Sequence, residues 1–343
     1  MLNLKRIIKH EDDIYIFLTA TYYHLLYSLI MISFLGIKDK SIFIFKNQPD
    51  YILTLAMKME ANGYHIEKWG NFIDRSFTGR VKYYFTGLLD QVYIKHIKRA
   101  NPNKNFVIMN FLWNIKHIYY GSKAYFDKCD RAFFFEEGAN CYCNYTGNNI
   151  ELFIKKIIGD DFSFYNNRKL KTIFVTSPEK YPDYLQNKIA KLDIFELWDC
   201  IDKDDKEKIL KLFISDTLYE NLLQKKNFGI VYTQPLSEDG YISEEEKIKT
   251  YREICRYYSK YGQILLKPHP RDTSEYSFQG IEVIDRLWPS EVLSLFGIKF
   301  IFSIGICTSA VTGTDALIKL NLNENYLSDH KLDMIPLNMG DIQ

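Results

Sequence analysis

Short apolar runs alternate with stretches of helical periodicity in two separate parts of this chain, and that alternation restricts its fold more than any other feature. In the first part, apolar runs at 14–18, 41–45, 106–109 and 131–135 are separated by helical segments at 22–35, 49–59 and 80–100. The rhythm restarts at 228–232. It continues through a helix at 244–258, strands at 264–266 and 281–284, a short helix from Pro289, a strand at 299–302 and a helix from Thr308. Strand and helix in turn imply parallel sheets covered by helices on both faces. Between the two parts, 148–226 is mainly helical (150–158, 204–214, 218–226), with one apolar strand at 172–175. The expected fold class is therefore α/β: a first lobe over 1–155, a helical link over 156–226 and a second lobe over 227–343. Parallel sheets facing a cleft give ligands a natural seat.

Composition narrows the partners. With 44 basic and 43 acidic residues the net charge is +1, so no global field favours a nucleic acid, and none is expected. Hydrophobic residues make up 47% and charged residues 25%, which suits packed cores rather than disorder. Six cysteines in 343 residues do not make a disulfide scaffold. Cys141 and Cys143 are too close for a CxxC pair, and Cys129, Cys200, Cys255 and Cys307 are scattered. A reduced, cytoplasmic setting fits that usage. No zinc-ligand spacing occurs, and no metal is expected.

Residues 14–37 carry no Asp, Glu, Lys or Arg, which is enough length to span a bilayer. The polar Thr19-Ala20-Thr21-Tyr22-Tyr23-His24 interrupts the stretch, and polar groups are costly in lipid. A strand, a polar turn and a helix explain it better. Residues 1–9, with Lys5, Arg6 and Lys9 among Leu and Ile, are too short for a signal peptide. They read as a frayed start or as a contact for an anionic membrane surface.

Chemistry-bearing residues gather where strands stop, the end at which open α/β sheets bind ligands. The run 264–266 ends at Lys267-Pro268-His269-Pro270-Arg271. Two prolines there halt the ladder and restrict the backbone around His269. A turn with an incidental histidine is the plain alternative. The run 133–135 leads into Glu136-Glu137-Gly138, and 230–232 into Thr233-Gln234-Pro235-Leu236-Ser237-Glu238-Asp239-Gly240. Adjacent carboxylates repel unless solvated or used, so each acidic pair is either an ordinary turn or the place of a general base.

The run 300–302 leads into Ser303-Ile304-Gly305-Ile306-Cys307-Thr308-Ser309. There Thr308 and Ser309 either cap a helix or present hydroxyls and N–H groups to a phosphate. Glu291, in a helix opened by Pro289-Ser290, suits ribose hydroxyls or simply the favourable charge of a first helical turn. His24, on the turn after the first strand, is a structural histidine or a contact for a sugar. Neither GxxxxGK[ST] nor GxGxxG occurs, which weighs against P-loop and dinucleotide enzymes.

Taken together these stretches resemble bacterial sialyltransferases of GT-B architecture, and most nearly glycosyltransferase family 52. The resemblance rests on residues 18–26, on Tyr232-Thr233-Gln234-Pro235-Leu236-Ser237-Glu238-Asp239, and on Lys267-Pro268-His269-Pro270-Arg271. It implies a GT-B-like pair of Rossmann-like lobes, the first on the acceptor side and the second binding the nucleotide sugar. It implies inverting, metal-independent transfer of sialic acid from CMP-sialic acid to a galactose-terminated glycan, such as lipooligosaccharide or capsule. No cofactor is implied beyond that co-substrate. Work at the inner face of the cytoplasmic membrane follows by analogy, and a homodimer is compatible with the sequence.

In this reading a carboxylate, Asp239 or Glu137, takes the acceptor proton, and a protonated His269 meets the departing phosphate. The substrate contacts fall to His24, Gly138, Gln234, Lys267, Pro270, Arg271, Glu291, Ser303, Thr308 and Ser309. Other readings are a family relative with another donor such as a glucosyl nucleotide, a polyol-phosphate polymerase with a CDP donor, and a non-catalytic carbohydrate- or nucleotide-binding module.

Overall fold

The structure, a computed structural model, describes residues 2–46, 50–69, 90–112, 125–137, 167–181, 183–214, 220–222, 224, 227–322 and 334–338. The chain divides into two compact units, Met1–Leu212 and Phe213–Gln343.

In the first unit the apolar runs become β1 (Asp13–Thr19), β2 (Ser41–Lys46), β3 (His65–Trp69), β4 (Asn105–Leu112), β5 (Arg131–Glu136), β6 (Leu170–Val175) and β7 (Ile189–Lys191). They form one parallel sheet in the order β3-β2-β1-β4-β5-β6-β7. Both faces are covered, so alternation gives way to continuous apolar runs. Ile16, Ile108 and Phe134 pack on one face, while the neighbouring Phe17, Met109 and Phe133 are fully buried on the other.

The uncharged stretch 14–37 resolves as a strand and a helix, Tyr22–Leu35. Thr21 caps that helix by accepting from the His24 backbone N–H at 3.1 Å. Most of its residues are buried within the unit, so its lack of charge reflects a central place in the fold. Among the described residues no helix is long and apolar enough to cross a membrane.

β6 and β7 fall within 156–226, which the sequence assigns to a link. They extend the first sheet because the apolar run 170–175 pairs with β5, Phe134 against Ile173 and Phe135 against Phe174. Of the helix expected over 80–100, residues 90–100 are described and helical. Residues 80–89, the expected helix at 150–158, most of 218–226, and Cys141 and Cys143 lie outside the described residues.

The second unit holds β8 (Phe228–Tyr232), β9 (Gln263–Lys267), β10 (Glu282–Val283), β11 (Phe300–Ile306) and β12 (Ala316–Leu322), all parallel, in the order β10-β9-β8-β11-β12. Three expectations change here. The strand expected to stop at 302 runs to Ile306, because Ser303 to Ile306 pair along β12 and Ser303 to Gly305 along β8. The helix from Thr308 is a single turn, Ala310–Gly313, since the following Ala316–Leu322 alternates in exposure like an edge strand. The strand at 281–284 shrinks to an exposed two-residue pairing.

In both sheets the order reverses beside the first strand, between β1 and β4 and between β8 and β11. Such switch points open a crevice at the carboxyl ends of the strands. At the second one Gly229 lets β8 and β11 pack closely, for a Cβ there would lie 2.0 Å from the Phe302 ring.

Candidate active site

The second unit brings the His-Pro turn and one acidic turn together. Past β9, Asp272 N donates to His269 O at 2.9 Å, which closes a turn with Pro270 at the position where its fixed φ is favoured. His269 Nδ1 accepts from Arg271 N at 3.0 Å, and its own N–H donates to Thr233 Oγ1 at 3.1 Å. With Nδ1 accepting, the network assigns the ring proton to Nε2. Burial first, then the charges of Arg271 and Lys267, push this imidazole down to about 4. The ring is therefore neutral at pH 7. A protonated ring is the expectation from sequence, whereas burial and two cationic neighbours disfavour the imidazolium here.

The acidic turn follows β8. Asp239 N donates to Pro235 O and Gly240 N to Ser237 O, and Gly240 takes φ 79°, a conformation that favours glycine. Arg271 grips Asp239 through two parallel bonds of 2.7 and 2.9 Å. Those bonds hold the Asp239 carboxyl below its ordinary value. Arg271 is thus attached to both candidate groups, by its backbone to the imidazole and by its side chain to the carboxylate.

Glu238, one residue earlier, is committed elsewhere. It accepts from Lys247 Nζ at 2.8 and 2.7 Å and from Thr273 N and Oγ1 at 2.7 and 2.8 Å. Burial alone would raise its carboxyl, but the bonds from Lys247 and Thr273 outweigh this and hold it at about 2. Lys247 also reaches Asp272 Oδ1 at 2.9 Å. Asp272 in turn accepts from Tyr276 OH at 2.7 Å, from Ser274 N at 3.0 Å and from the Thr233 hydroxyl. Lys247, Asp272 and Thr233 were not singled out from the sequence. The signal was present for Lys247. It heads the stripe 247, 250, 251, 254, 255, 258, the buried face of the helix Glu244–Tyr258.

The remaining expected contacts divide. Lys267 is 3% exposed, and its amine bonds the carbonyls of Pro268 and Arg286, each at 2.8 Å. Burial pushes that amine down to about 7, and Asp285 and Glu291 partly offset the effect. It holds the turn from beneath instead of facing a ligand. Ser303 lies inside β11, fully buried, and its Oγ finds no partner among the described residues. It is not placed to touch a substrate, because the strand continues past it. Thr308 is 7% exposed and its hydroxyl accepts from Ala310 N at 3.3 Å, while the Asn321 side chain bonds both its N–H and its C=O. Ser309 is exposed at the start of the one-turn helix. Glu291 is half-buried near the far end of that turn, its Oε1 3.7 Å from where a Cβ on Gly313 would sit. Gln234 is half-buried beside the acidic turn, its N–H donating to Tyr251 OH at 2.6 Å.

The first unit has a separate cluster at its own switch point. His24 stacks on Phe111 with ring centres 4.1 Å apart and planes 8° apart. Its Nδ1 accepts from Ala20 N at 3.0 Å, and Nε2 lies 3.1 Å from Glu137 Oε1. No aligned hydrogen bond forms at that nitrogen among the described residues. Gly138 lies outside the described residues.

Two solved structures are similar to this chain over most of its length. One is a sialyltransferase from Photobacterium damsela, with a TM-score of 0.58, 14% identity, and coverage of 88% of this chain and 72% of that one. The other is the GT-B domain of a sialyltransferase from Photobacterium damselae, with a TM-score of 0.57, 14% identity and 90% coverage of both chains. The fold is that of a GT-B glycosyltransferase. More particularly, the chain belongs to glycosyltransferase family 52, whose family model matches residues 48–314. An uncharacterized protein of Haemophilus influenzae is 38% identical over 141 residues, which is 40% of this chain and 45% of that protein.

Proposed function

We propose that this glycosyltransferase moves sialic acid from CMP-sialic acid to a galactose-type hydroxyl of a surface glycan, with inversion and without a metal. The observation that carries the reading is the single anchor of Asp239 and His269. Arg271 bonds both, which sets a carboxylate and an imidazole side by side at the carboxyl edge of the second sheet. A carboxylate that stays ionised at neutral pH can take the acceptor's proton. The acceptor oxygen then bonds to the anomeric carbon as the bond from that carbon to the phosphate oxygen breaks. The electron pair leaves with CMP. His269, neutral and bearing its proton on Nε2, donates a hydrogen bond to the oxygen on which charge develops, and that bond strengthens in the transition state. Arriving phosphate also favours the imidazolium, so full proton donation becomes easier once the donor is bound. Ser309 and Glu291 are the groups assigned to the phosphate and the ribose. Glu137 is assigned to the acceptor sugar, and the buried His24, stacked on Phe111, backs it from within the unit.

The test is incubation of the protein with CMP-sialic acid and a galactose-terminated acceptor, with EDTA in a parallel sample. Product should form equally in both. Asp239→Ala and His269→Ala should each lower turnover by about a hundredfold or more. A second reading, another nucleotide sugar as donor, rests on the family membership, which does not by itself fix the donor. Product from a UDP-sugar and none from CMP-sialic acid would select it.

A further inference from the structure

Lys247 is fully buried, yet it lies in no substrate contact named above. Its three N–H bonds go to both Glu238 oxygens and to Asp272 Oδ1, all within 2.9 Å. Those carboxylates stand next to the reacting groups in sequence. Glu238 precedes Asp239 directly, and Asp272 closes the turn whose first residue is His269. Asp272 also bonds the Thr233 hydroxyl that receives the His269 N–H. Thr273 ties the two turns a second time by donating to Glu238 from its N–H and its hydroxyl. One buried cation therefore stitches the acidic turn, the His-Pro turn and the end of β8 to the helix Glu244–Tyr258.

Stability alone gives little reason for such an arrangement. A buried ion cluster is commonly matched or exceeded in stability by apolar residues of similar volume, whereas it fixes geometry that apolar packing leaves loose. Tyr251, Ile254, Cys255 and Tyr258 on the same helix face pack into the apolar core of this unit, so apolar burial docks the helix as well.

We propose that Lys247 is a positioning residue for the transfer reaction, holding Asp239 and His269 at one fixed spacing through Glu238 and Asp272. The proposal rests on the transferase reading given above. It assigns Glu238 a structural place in the clamp, which leaves Asp239, held by Arg271 and 34% exposed, as the member of the acidic pair for the reaction. Misplacement of reacting groups by about an ångström costs on the order of a hundredfold in rate. Donor binding depends less on that spacing, so kcat should carry the loss.

The test compares wild type with Lys247→Met and Glu238→Gln, the second being a milder change that keeps the Lys247–Asp272 pair and so guards against misfolding of the first. Circular dichroism fixes a temperature at which each variant is folded, and kcat and the donor KM are then measured separately. Lys247→Met should lose about a hundredfold in kcat, and Glu238→Gln about tenfold, with donor KM within about threefold of wild type. A folded variant with wild-type kcat, or a loss confined to KM, would overturn the proposal.

A second measurement is independent of turnover: NMR titration of the His269 ring. The charged groups facing it are Arg271, Lys267, Asp272 and Asp239, and its starting value is about 4. In Lys247→Met the Asp272 charge loses its partner and the seat loosens, so the ring should titrate at least one pH unit higher. If wild type transfers no sugar at all, the transferase reading has failed, and the titration alone then decides on the clamp. A ring unchanged in both variants would overturn it.

Discussion

At the scale of single residues, chemistry here is set by what each group's neighbours demand. Glu238 and Asp239 are adjacent in sequence. One has both oxygens bound to a buried lysine, and the other meets an arginine whose side chain is 52% exposed. His269 behaves as a neutral ring, and this has a consequence for stability. An unfolded histidine titrates near 6.5, whereas the folded ring titrates at about 4. Between those values the unfolded chain binds a proton that the folded ring refuses. The ring's contribution is therefore intact above about pH 6.5 and is lost as pH falls towards 4. His269→Gln should flatten this part of the profile. In urea titrations, the midpoint of wild type should fall further between pH 7 and 4.5 than that of the variant. Equal declines would mean that the ring is solvated in the folded protein. The His-Pro turn was legible from sequence because prolines fix a backbone locally. Lys247 was not, since a lysine among glutamates reads as a solvated face until its position in the helical stripe is weighed.

At the scale of elements, the strands with continuous apolar runs were visible, and of the edge strands only β10 was, as the run 281–284. β1, β2, β4, β5, β8 and β9 are covered on both faces and carry that burial in their composition. β3 and β12 are edge strands, and β12 exposes alternate residues, with Leu317 67% exposed. An alternating pattern of that kind depends on a partner strand that local sequence does not reveal. The end of β11 was misjudged for a related reason. Ser303 and Gly305 look like loop residues, but Gly305 pairs with Tyr232 and Asn321 in the sheet, and it is glycine because a Cβ there would lie 2.3 Å from Thr308 Cγ2. Gly229 makes the same argument testable on β8. A methyl group there would strike the Phe302 ring, which is fully buried and has no room to withdraw. Gly229→Ala should cost about 1–3 kcal/mol and lower the thermal midpoint by several degrees. A midpoint equal to wild type would mean that β8 and β11 separate readily at the switch point.

At the scale of the whole molecule, each unit repeats one plan, a parallel sheet whose strand order reverses beside its first strand, with polar groups at the crevice so formed. The carboxyl ends were legible as places where polar residues gather. The different partners of the two acidic turns were not, because a Glu-Glu-Gly and a Glu-Asp-Gly look alike in sequence. In the first unit Glu137 faces a histidine stacked on a buried aromatic ring. In the second, Asp239 shares its arginine with the His-Pro turn. The proposed roles make the two carboxylates separable. CMP should raise the thermal midpoint of wild type, and a ligand at a hundred times its Kd stabilises by about 2.7 kcal/mol. Glu137→Gln should retain that shift and its donor KM while its acceptor KM rises about tenfold. Asp239→Ala should also retain the shift, yet lose turnover about a hundredfold or more at saturating acceptor. The reverse pattern, with turnover abolished by Glu137→Gln and spared by Asp239→Ala, would move the proton acceptor to the first unit and leave Asp239 as the partner that orders Arg271.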